Sequence, residues 1–219
     1  MTHTLITGAE SGLGLALTRV FIDAGSTVAA LCRESSPALD ALAPDIHEGV
    51  DVTNAATVYR AAAEMGDKTI DVLINNAGIM IEDHIDRIDI AAVRGQFEVN
   101  ALGPLSIALA FRKRFRRGSR MVNISSRLGS MEDNDSGEDY GYRMSKAAQN
   151  MLTSNLSIDL AKEDVIVAAL HPGIVATSMT GGKGTPADEV ARDLKAVIDT
   201  LDASQSGQFL DRFGAQIPW

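Results

Sequence analysis

The sequence predicts one α/β domain, a doubly wound and mostly parallel sheet with helices on both faces. Three observations predict it. Short apolar runs alternate along the chain with longer segments of helical apolar spacing, the pattern of successive βαβ units. The first apolar run passes directly into a glycine-rich turn that opens a helix. No repeat, low-complexity stretch or linker divides the 219 residues, and 45% of them are hydrophobic, enough for one sizeable core.

The elements follow in order. Residues 4–7 form a short apolar strand ending in the turn Thr7-Gly8-Ala9-Glu10-Ser11-Gly12-Leu13-Gly14. Leu13, Ala16, Leu17, Val20 and Phe21 then have helical spacing over 13–24, and Gly25 stops the helix. A strand at 27–32, a helix around 37–42 and a strand near 46–50 come next. Asn54 is a natural N-cap for a helix at 54–65, which leads to a strand at 71–75. One long helix is expected over 90–111, bent near Gly103-Pro104. A fifth strand at 120–125, a helix at 142–160 and a sixth strand at 165–170 continue the alternation. A last helix at 187–201 and a short strand at 208–210 complete it.

Bulk properties exclude several classes. A net charge of −9 and a pI near 4.9 argue against nucleic acid as a partner. The one cysteine, Cys32, forbids an intrachain disulfide and makes a reducing cytoplasm the simplest compartment. No apolar run reaches ~18 residues, so no membrane span is expected, and the N-terminus lacks the pattern of a secretory signal. His3, His47, His84 and His171 are scattered without metal-ligand spacing, so no metal is expected. The basic run Arg112-Lys113-Arg114 with Arg116-Arg117 reads as a solvated helix end.

The glycine turn follows a strand and opens a helix, the context in which such turns hold a dinucleotide. Glycine permits close approach of backbone to phosphate, and amides at the helix start face the pyrophosphate. Farther on, Tyr142 and Lys146 are four apart and share a helix face. A phenol with a pKa of ~10 is a poor acid–base group at neutral pH. Two unit charges about 4 Å apart at an effective dielectric of ~20 interact by roughly 4 kcal/mol. At ~1.36 kcal/mol per pH unit, Lys146 could lower the phenol by about three pH units. Tyr142 would then give a proton to a carbonyl oxygen or take one from an alcohol, with Ser126 bonding the same oxygen. Tyr140 lacks the lysine, since Met144 stands four residues on.

Thr-Gly-x-x-x-Gly-x-Gly at the N-terminus resembles the short-chain dehydrogenase/reductase superfamily, a Rossmann-type fold. Four further segments match in order: Asn75-Asn76-Ala77-Gly78, Asn100, Ser126 with Tyr142-x-x-x-Lys146, and Pro172-Gly173. The closer likeness is to C-factor-like and carbonyl-reductase-like members, on Asp133-Asn134, residues 140–146, His171-Pro172-Gly173 and Ile217-Pro218-Trp219. Ser126 rather than Ser125 has the family's Ser-x-x-Gly spacing to Gly129. The resemblance implies a catalytic tetrad of Ser126, Tyr142, Lys146 and Asn100, with Asn100 holding a water that links Lys146 to solvent. Asn100 bonding a helix irregularity is the plainer alternative. Lys146 would also bind the nicotinamide ribose.

For the cofactor, the resemblance implies contacts from Gly8, Glu10, Ser11, Gly12, Leu13 and Gly14 to the pyrophosphate. Asp51 and Val52 would meet adenine, and Asn76, Ala77 and Gly78 would line its ribose. Pro172, Gly173, Val175 and Thr177 would meet the carboxamide and phosphate. At the end of the second strand Arg33 stands where NAD-dependent relatives place an acid, which favours NADP(H). Glu34 beside it, and the lack of a basic residue at Glu10-Ser11, keep NAD(H) as the alternative. The expected activity is a carbonyl reductase or alcohol dehydrogenase acting on a small molecule, with a homodimer or homotetramer among the assemblies allowed. The C-factor likeness keeps a second reading, a dinucleotide-binding regulatory or signalling protein with incidental turnover. Residues 179–185 are short, polar and glycine-rich, and predict a mobile lid over an open, broadly specific site.

Overall fold

The computed structural model describes residues 2–42 and 44–219. The strands are β1 His3–Thr7, β2 Thr27–Leu31, β3 Asp45–His47, β4 Ile70–Asn75, β5 Phe115–Ile124, β6 Ile166–His171, β7 Val175–Ala176, β8 Thr185–Pro186 and β9 Phe209–Asp211. The helices are α1 Gly12–Asp23, α2 Pro37–Asp40, α3 Ala55–Glu64, α4 Ile90–Phe97, α5 Gly103–Phe111, α6 Tyr140–Leu160 and α7 Ala187–Thr200. Seven strands form one sheet in the order β3-β2-β1-β4-β5-β6-β9, and every pairing is parallel.

Alternate residues of the central strands fill the two faces, as the period of two requires. Ile6, Ile74, Val122 and Ala168 pack with Leu17 and Phe21 of α1 and Leu194 and Ile198 of α7. Leu5, Leu73, Met121 and Val167 pack with Val58 of α3 and Ile107 and Phe111 of α5 on the other side. The strand order reverses between β1 and β4, and the loops at their carboxyl ends open into a crevice there.

Four details depart from the sequence expectation. The long helix is not one bent helix: α4 and α5 are joined by a π-helical segment, Glu98–Leu102. Pro104 has no N–H for the carbonyl of Asn100, so regular α geometry cannot continue through this point. β3 stops at His47 because Gly49 turns the chain at φ +68°. The basic run ends α5 in a short 3-10 turn, Arg112–Arg114, and then enters β5, where Arg116 pairs with Asp71 and Arg117 with Asp164. The glycine-rich segment is bracketed by two short strands that the apolar pattern did not show. β7 and β8 pair, and the Thr180 hydroxyl bonds the main chain of Val175 and Lys183.

Candidate active site

The glycine turn is fixed by Thr7 and Asn76. The Thr7 hydroxyl accepts the amides of Asn76 (3.1 Å) and Ala77 (3.0 Å). The Asn76 amide group donates to the carbonyls of Thr7 and Gly8, each at 3.0 Å. This ties the end of β4 to the turn after β1. Gly14 is dictated by contact, because a Cβ there would lie 2.0 Å from the Gly8 oxygen and 2.5 Å from the Asn76 amide nitrogen. Gly8 and Gly12 hold φ of +63° and +53°, the left-handed region where a side chain is strained. No acidic side chain stands in the first turn of α1, and Ser11 gives it no side-chain cap. Its amides are therefore left to an outside anion, and the turn fits a pyrophosphate.

A cleft of about 810 Å³ runs from this turn across the carboxyl edge of the sheet. It brings together Gly8, Glu10, Ser11, Gly12, Leu13, Arg33, Asp51, Val52, Asn76, Ala77, Gly78, Ser126, Tyr142, Lys146, Pro172, Gly173, Val175 and Thr177. Gly14 and Asn100 stand behind its wall and do not line it.

At one end, Arg33 is exposed and has no acidic ion-pair partner among the described residues. Asp51 accepts the amide (2.9 Å) and hydroxyl (2.7 Å) of Thr53, which hold its carboxyl below the usual carboxylate range. Burial, with the nearby Glu10, Glu48 and Asp40, pushes the Cys32 thiol up to about 11, so it is an inert wall group.

At the other end, Tyr142 and Ser126 are 9% and 8% exposed and meet at the cleft floor. Burial pushes the Tyr142 phenol up to about 12; the nearby Ser126 hydroxyl pulls the other way, and Asp139 adds to the rise. The neighbouring Ser125 instead gives its hydroxyl to Asn150 at 2.6 Å. Lys146 is buried, with its ammonium 5.7 Å from the centre of the Tyr142 ring. It donates to the Ile124 carbonyl (2.8 Å) and to Gln149 Oε1 (3.0 Å), and burial pushes it down to about 7. The expected lowering of the phenol by Lys146 is thus not the dominant effect. Desolvation drives both groups toward their neutral forms, and a lysine near 7 carries only part of its charge at neutral pH.

Asn100 is fully buried and its side chain is committed. It accepts the Ile79 amide (2.9 Å) and donates to the Ile79 carbonyl (2.8 Å) and the Ser145 hydroxyl (3.0 Å). The side chain braces the π segment against the loop after β4 and α6.

Two supporting residues were not foreseen. Asp83 caps α6 from 57 and 58 residues away, accepting the amides of Tyr140 (2.7 Å) and Gly141 (2.9 Å). The local position, Asp139, is left-handed at φ +47° and gives no side-chain cap. Gln149 holds Lys146, and helical spacing from Lys146 could have revealed it. His171 lines the cleft with Nδ1 accepting the Arg127 amide at 3.2 Å, and burial pushes it down to about 4.

A glycine turn at the switch point of a parallel sheet, with a buried tyrosine beside a serine at the cleft floor, defines an oxidoreductase-type Rossmann protein. The short chain dehydrogenase family model matches residues 2–188, and the chain belongs to that family. It is 36% identical to 1-hydroxy-2-glutathionyl-2-methyl-3-butene dehydrogenase of Rhodococcus sp. (strain AD45), over 100% of both chains. It is 42% identical to C-signal of Myxococcus xanthus, over 68% of this chain and 93% of the relative. The NADPH-bound carbonyl reductase from chicken fatty liver superposes with a TM-score of 0.91 at 29% identity, covering 100% of this chain and 99% of that one. Among the described residues, no helix is long and apolar enough to cross a membrane.

Proposed function

We propose that the protein is an NADP(H)-preferring carbonyl reductase or alcohol dehydrogenase in which Tyr142 is the general acid and base. The observation that carries this is the placement of Tyr142 and Ser126 together at the floor of the cleft that begins at the glycine turn. A bound nicotinamide supplies or accepts the hydride. In reduction the Tyr142 hydroxyl gives its proton to the carbonyl oxygen, and the Ser126 hydroxyl orients that oxygen. Lys146 supports loss of the phenolic proton when its ammonium is present. The Asn100 side chain is spent on Ile79 and Ser145, so its part is to brace the floor of the site. Arg33 lies open for a 2′-phosphate, and the NADPH-bound chicken relative supports that preference. The Rhodococcus relative is by name a dehydrogenase of an alcohol, which supports carbonyl and alcohol chemistry here.

A panel of aldehydes and ketones with NADPH and with NADH tests this reading. Cofactor oxidation, faster with NADPH, is the expected result. The likeness to C-signal favours the second reading, a dinucleotide-binding signalling protein. Tight cofactor binding without oxidation on any substrate would favour it.

A further inference from the structure

The rim beyond Tyr142 and Ser126 is built from charge. The residue after each of them is an arginine, and Arg127 and Arg143 both line the cleft. Arg143 gives Nε to the Glu138 carbonyl (3.1 Å) and Nη2 to the Ser136 hydroxyl (2.9 Å), both neutral acceptors. Among the described residues, the one acidic neighbour of the Arg127 guanidinium is Asp133, at 3.8 Å, beyond hydrogen-bond reach. Neither rim guanidinium has a carboxylate within hydrogen-bond distance among the described residues. A guanidinium matches a carboxylate as a planar, two-point partner.

Glu82, Asp133 and Asp135 line the same rim, so it is no general anion trap. Recognition there has to be directional. Ile174 and Met179, 68% and 47% exposed, add apolar surface to the same cleft.

We propose that the substrate carries a carboxylate on an apolar frame, and that Arg127 and Arg143 read it while Tyr142 and Ser126 hold the reacting oxygen. This rests on the oxidoreductase reading above. It replaces a broadly specific open site with one selective for acids.

The experiment compares 4-formylbenzoate with its methyl ester, using NADPH. The acid is expected to have a kcat/KM at least about tenfold higher, mainly through a lower KM, since each guanidinium contributes one charge-assisted contact. Arg127→Gln and Arg143→Gln are each expected to shrink the acid-to-ester ratio several-fold, with ester turnover checking that the variant is folded. An ester turned over as well as the acid, or a ratio unmoved in both variants, would overturn the carboxylate assignment while leaving the oxidoreductase reading intact. No turnover of either compound would instead strike at that underlying reading.

Discussion

Replacing Gln149 with leucine isolates what holds Lys146. Gln149 is fully buried on α6, and its Oε1 is one of two acceptors of the lysine ammonium, the other being the Ile124 carbonyl. Its own Nε2 has no partner among the described residues, so leucine discards a buried donor at little cost to the fold. A hydrogen bond to a charged group is worth about 1.5–3 kcal/mol. At ~1.36 kcal/mol per pH unit, its loss lowers the Lys146 pKa by about one to two pH units. Lys146 starts at about 7, with burial as the sole cause. The ammonium is the form the mechanism uses, and it is lost as pH rises through its pKa. In Gln149→Leu the alkaline fall in kcat should therefore begin about one to two pH units lower than in wild type. Gln149→Glu places a carboxylate beside the ammonium and should move the fall upward. The assay is kcat against pH from 5 to 9 at saturating NADPH and aldehyde. Superimposable profiles for all three proteins would refute the reasoning.

Gly14→Ala puts a Cβ 2.0 Å from the Gly8 oxygen. Calorimetric titration should find NADPH binding weakened at least about tenfold, with stability reduced by about 1–3 kcal/mol. Arg33→Asp should raise the Kd for NADPH far more than that for NADH; equal effects would remove Arg33 from cofactor choice. His171 sits at about 4 in the fold, below its ordinary 6.5, so the unfolded chain binds the proton first. Its contribution to stability is complete above about pH 6.5 and falls by at most about 3 kcal/mol as pH drops toward 4. Denaturant titrations of His171→Gln should show a flatter dependence over that window.

Much of this was legible in the sequence because the signals were local. The order of strands and helices followed from apolar periodicity, and the Asn54 cap is present, its side chain accepting the Ala56 amide at 3.1 Å. Tyr142 was separable from Tyr140 by the lysine four residues on, and Tyr140 does not line the cleft. What was illegible depended on distant partners. Asp83 caps α6 from another part of the chain. Asn100 was readable as either relay or brace until Ile79 and Ser145 were placed against it. The sign of the Tyr142 shift could not be read from a four-residue spacing either, because burial sets it and burial is a property of the whole cleft. The reason for one glycine of residues 179–185 was also distant: Gly184 packs on the Ile174 carbonyl, where a Cβ would fall at 2.2 Å.

The most direct test is Tyr142→Phe, which removes one oxygen from the cleft floor and leaves the glycine turn untouched. The account predicts that NADPH binds with near-wild-type affinity while its oxidation by any aldehyde accepted by wild type falls by about a thousandfold or more. Turnover retained within a few-fold of wild type would contradict the assignment of Tyr142 as the proton donor.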